Sequence, residues 1–76
     1  MYVKLLSFTT GKPVLVATVR TEGDSFAVEM AGDGEVPADI RRELTRAKRQ
    51  NPDPETFLRA LPSIYSGSYF RAQLVK

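Results

Sequence analysis

The densest chemistry in this chain is a stretch of nine residues, RRELTRAKR at 41–49. It holds Arg41, Arg42, Arg46, Lys48 and Arg49 against the single carboxylate of Glu43. At 100° per helical residue, Arg42, Arg46 and Arg49 fall opposite Ile40, Leu44 and Ala47. A row of arginines on an exposed helix can grip phosphates, and it would bind nucleic acid with a steep dependence on salt. The simpler reading is a solvated helix face, with Asp39–Arg42 and Glu43–Arg46 as i, i+3 pairs and late cations matched to the helix dipole. That reading is favoured, because the net charge is only +2 and the preceding twenty residues carry six carboxylates and no cation. Nucleic-acid binding through Arg42, Arg46 and Arg49 is the alternative.

A second group closes the sequence as written: SIYSGSYFRAQLVK, from Ser63 to Lys76. Its first half is a turn built from Ser and Gly, and its second half alternates as a strand. Phe70, Ala72 and Leu74 account for one parity as core. Tyr69, Arg71 and Gln73 are left on the other parity as candidate contact residues.

Catalysis has little to draw on. The chain contains no histidine and no cysteine, so the commonest general base, the thiolate nucleophile and the usual zinc ligands are missing. Ser63, Ser66 and Ser68 lie near Tyr65 and Tyr69, but no base accompanies them. The segment GDGE at 32–35 has neither the alternating ligands of a calcium loop nor the third glycine of a dinucleotide motif. The expectation is therefore no enzyme, no catalytic residue, no cofactor, no metal and no small-molecule substrate.

The elements that position these groups follow from periodicity. Val3–Phe8 and Val14–Arg20 are apolar and β-branched, and TTGKP between them makes a turn. TEGD at 21–24 is a second turn, and Ser25–Met30 is a third strand with Phe26, Val28 and Met30 on one face. A helix begins near Pro37 and carries the stripe Ile40, Leu44 and Ala47. NPDP at 51–54 breaks it. Asp53 then caps a short helix whose apolar face is Phe57, Leu58 and Leu61, and Pro62 is expected to end that helix. Tyr69–Val75 is the fourth strand, placed beside strand one in a pairing direction the sequence leaves open. The fold class is α+β, a single small domain over 1–76: an antiparallel four-stranded sheet in the order βββααβ with both helices on one face.

Strand parity then sorts the two faces. Leu15, Ala17 and Val19 are expected inside, with Val14, Val16, Thr18 and Arg20 outside. Tyr2, Lys4, Leu6 and Phe8 are placed outside because Lys4 should reach water. The face away from the helices thus gathers Tyr2, Lys4, Phe8, Arg20, Tyr69, Arg71 and Gln73, a mixture of aromatic and Arg side chains typical of interface centres. The expected function is a non-catalytic interaction module that binds a protein partner, or itself as a homodimer, through this open face. No stretch is apolar enough for a membrane span or a signal-peptide core, and a cytoplasmic location is expected.

Overall fold

Alternating apolar residues make four strands, and two 3.6-residue stripes make two helices. β1 (Tyr2–Ser7), β2 (Val14–Glu22) and β3 (Ser25–Met30) precede α1 (Ala38–Gln50) and α2 (Pro54–Ile64), and β4 (Phe70–Val75) comes last. The computed structural model describes residues 1–76. The sheet runs β3-β2-β1-β4 and is antiparallel throughout, so the α+β class and the order βββααβ are as the sequence implies. β4 pairs with β1 antiparallel, from Tyr2 opposite Val75 to Ser7 opposite Phe70.

The helices cover one side of the sheet. Val3 and Leu5 of β1 and Ala17 and Val19 of β2 are buried there against Leu44, Ala47, Phe57, Leu58, Leu61 and Tyr65. Phe57 is fully buried, and its ring meets Phe26 at 5.5 Å between centroids. Tyr65 meets Phe70 edge-on at 5.3 Å. The expected parities of β1, β3 and β4 hold.

β2 departs from its expected parity. Leu5 pairs with Ala17, but Leu6 pairs with Leu15, so Val16 is an extra residue on β2. Such a bulge reverses the facing of everything beyond it. Leu15 therefore shares the open face with Leu6 and is 41% exposed, whereas Val16 packs against the core. Val14 pairs with Ser7, whose parity is that of the helix side. The expected placing of Leu15 inside and of Val14 and Val16 outside is corrected on this ground.

Three further differences are local. β2 and β3 extend until Glu22 faces Ser25, which tightens the expected four-residue turn to Gly23–Asp24. Gly23 takes a φ of +54°, and glycine is the usual residue at the first central position of such a hairpin turn. Pro62 does not end α2, which continues to Ile64. Leu61 just before it is fully buried and Tyr65 just after is largely so; their burial holds the last turn helical despite the missing N–H of Pro62. The cap at Asp53 forms as expected, with its side chain accepting from the Thr56 N–H at 3.0 Å.

The two sheet edges differ. On β4, the Ala72 N–H donates to the Tyr65 carbonyl at 2.9 Å and Ser66 bridges Arg71, which covers the first half of that edge. On β3, the ladder continues into Ala31, whose N–H donates to the Val16 carbonyl at 3.0 Å. That bond sets the phase of the strand: Phe26, Val28 and Met30 point their main-chain N–H and C=O groups away from β2. No backbone bond outside the ladder uses them.

Candidate functional site

The open face has rows that follow directly from register. Gln73, Lys4, Thr18 and Glu29 form one row, and Arg71, Leu6 and Leu15 form the next. Val75 and Tyr2 pair on one side of these rows. On the other side, the Phe8 N–H donates to the Tyr69 carbonyl at 2.8 Å and extends the β1–β4 ladder. Tyr2, Lys4, Phe8, Arg20, Tyr69, Arg71 and Gln73 thus all lie on this face.

Their charges are not equally free. The Arg71 guanidinium lies over the Phe8 ring at 4.9 Å from its centroid, and its Nε donates to the Gly67 carbonyl at 3.0 Å. These contacts fix the side chain across the Ser66–Ser68 turn. Arg20 pairs with Glu29 at 3.5 Å and more loosely with Glu22 at 3.9 Å, in an exposed setting where such pairs contribute little to stability. Lys4 has no carboxylate partner. The apolar end of the face is the group Leu6, Leu15, Phe8 and Tyr69, with Tyr69 the most exposed at 68%. Sequence parity missed Leu15, because a bulge leaves no mark in an apolar run such as VLVATV.

The basic helix keeps its charge free as well. The ion pairs of the protein are Arg20–Glu22, Arg20–Glu29 and Arg59–Glu55. The expected pairs Asp39–Arg42 and Glu43–Arg46 do not form. Arg41, Arg42, Arg46 and Arg49 therefore have no carboxylate partner, and all four are exposed. Lys48 is engaged: its Nζ donates to the Pro52 carbonyl and sits 5.9 Å from the centre of the Phe57 ring.

Two clefts run between α1 and β3. One, of about 570 Å³, lies among Asp24, Ser25, Phe26, Thr45, Lys48, Arg49 and Pro52. The other, of about 600 Å³, lies among Val28, Glu29, Met30, Arg41 and the loop carrying Gly32, Gly34 and Glu35. Arg41 borders both. The C-terminal end of α1 is thus beside the start of β3, and the N-terminal end of α1 is beside its finish.

One buried polar atom lacks a partner, the Tyr65 hydroxyl. Burial pushes its pKa up from 10 to about 12, and the nearby Glu43 and Asp39 carboxylates add to the shift. The Asp53 carboxyl is held below its ordinary value by the Thr56 N–H, then by the Thr56 hydroxyl. No group of three or more acidic side chains converges on a point that could hold a metal. No helix is long and apolar enough to cross a membrane. Comparison of the chain with protein-family models, with curated proteins and with solved structures gives no match.

Proposed function

We propose that this protein is a non-catalytic interaction module that binds a second copy of itself through the open sheet face. The observation that carries the reading is Leu15, turned outward by the bulge and 41% exposed beside Leu6. An apolar cluster there, completed by Phe8 and Tyr69 and flanked by the held guanidinium of Arg71, has the composition of an interface centre. The face carries both signs, with Lys4, Arg20 and Arg71 against Glu22 and Glu29, so a copy turned by a two-fold axis can set opposite charges against each other. Ten side chains form the buried core, and no disulfide reinforces it. Self-association is a common remedy for a domain of this size.

Sedimentation equilibrium over a wide concentration range tests the reading. A reversible dimer is expected, and Leu15→Glu should shift it to monomer while leaving the far-ultraviolet circular dichroism unchanged. A chain that stays monomeric at millimolar concentration, or a dimer indifferent to Leu15→Glu, overturns it.

A further inference from the structure

We infer that the groove between α1 and the free edge of β3 binds an acidic peptide, which adds to the sheet as a fifth strand. Three observations carry this. First, the outward N–H and C=O groups of Phe26, Val28 and Met30 have no backbone partner, and an unpaired edge is a template for another extended chain. Second, the clefts of about 570 and 600 Å³ beside that edge leave room for side chains on the helix side of an added strand. Third, Arg41 and Arg49, which border that room, have no carboxylate partner within the chain.

The spacing narrows the ligand. Arg41 and Arg49 are eight residues apart on α1, or about 12 Å at 1.5 Å per residue. In an added strand, residues j and j+4 face the helix about 13–14 Å apart. Acidic side chains at j and j+4 therefore match the two arginines. Residue j+2 falls between them, over half-buried Phe26 and Val28, where an apolar side chain fits. Asp24 is the one carboxylate lining the first cleft, against Arg41, Lys48 and Arg49, whereas Glu29 and Glu35 line the second beside Arg41, so the Arg49 end is the more favourable to an acidic side chain. The motif is acidic–x–apolar–x–acidic.

Competing occupants fit less well. A second copy adding its own β3 would bring Phe26, Val28 and Met30 to the helix side and no carboxylate, since Glu29 faces the open side opposite Thr18. It would also bring a second basic helix. A nucleic-acid backbone offers acceptors to the arginines but does not match an edge that alternates donors and acceptors. No fully exposed aromatic lies in the groove for base stacking, because Phe26 is half-buried against Phe57.

The probe is a peptide with blocked ends, Ser-Thr-Glu-Thr-Val-Thr-Glu-Thr-Ser, titrated into isotopically labelled protein and followed by amide NMR and fluorescence anisotropy. Saturable binding at roughly 10–100 µM is expected. The largest shifts should fall on the amides of Phe26, Val28 and Met30, and they should move little on Leu6 and Leu15. N-methylation of the two glutamates and the valine removes the N–H groups that point at β3 in an antiparallel addition, and N-methylation of the four threonines removes those that do so in a parallel one; one of the two sets should abolish binding. Arg41→Glu with Arg49→Glu, both exposed and outside the core, should weaken binding at least tenfold, and a peptide with Lys in place of both Glu should then recover it. No binding at 1 mM overturns the inference, as does binding that survives both N-methylated sets. So do shifts confined to the open face, or a single-stranded oligonucleotide that outcompetes the peptide and loses affinity steeply with salt.

Discussion

The Tyr65 hydroxyl is the one buried side-chain polar atom with no partner, and it sits beside a ring packed edge-on against Phe70. Leaving a buried hydroxyl unpaired costs more than omitting it. Tyr65→Phe keeps the ring and removes the orphan, so it should leave stability at pH 7 unchanged or raise it, as read by urea denaturation. The alkaline limb gives a second, sharper reading. Because the folded pKa of about 12 lies above the ordinary 10, the neutral tyrosine favours the fold. That contribution is whole below pH 10 and is lost as the pH rises toward 12, by up to about 1.4 kcal/mol per pH unit. The wild-type protein should therefore lose more stability than Tyr65→Phe between pH 10 and 12. Parallel curves for the two proteins would show that the phenol is not confined as described.

Among the elements, α2 is the one whose start is set by a single side chain. Asp53 accepts from both the Thr56 N–H and the Thr56 hydroxyl, and Pro54 supplies the first helical residue. Asp53→Ala should lower the melting temperature by a few degrees, and Asp53→Asn by less, as measured calorimetrically at pH 7. The Asp53 carboxyl is depressed, so its stabilisation is present above pH 3.8 and fades as the pH falls below that value. The cap and its following proline were legible in the sequence because both act on near neighbours. The stripe Ile40, Leu44 and Ala47 was legible for the same reason: a helix repeats within its own span. The bulge at Val16 was not. It is decided by the pairing of Leu6 on β1 with Leu15 on β2, and an apolar run such as VLVATV is compatible with either phase. Pro62 was also misleading, since local stereochemistry forecast a stop that the burial of Leu61 and Tyr65 overrides.

At the scale of the whole molecule, the core is one cluster with Phe57 at its centre. A chain of this length commonly holds roughly 4–11 kcal/mol of stability. Truncating a buried Phe costs about 3–5 kcal/mol. Phe57→Ala should therefore remove about 3–5 kcal/mol, a large share of the total, and lower the urea midpoint steeply; a midpoint within the error of the wild type would mean that stability comes from beyond this cluster. The β1 and β4 part of the open face was readable from sequence because those strands keep their parity along their whole length, whereas its β2 part was not, because of the bulge at Val16. The groove was not, since nothing in the residues 24–30 and 41–49 says that the two segments lie side by side. The missing Asp39–Arg42 and Glu43–Arg46 pairs were equally hidden: spacing permits such contacts but does not compel long, exposed side chains to make them.

The two borders of the sheet are unlike, and this limits how the molecule can assemble. Open-ended growth by strand pairing requires two different free borders, one to join the other in each successive copy. Here Tyr65 and Ser66 obstruct half of β4, while β3 is free along its length. A strand-to-strand union along a whole border is therefore β3 to β3, which uses up the free border of both copies and halts. Fibre formation is thus disfavoured by architecture while the Tyr65–Ser66 cover stays in place.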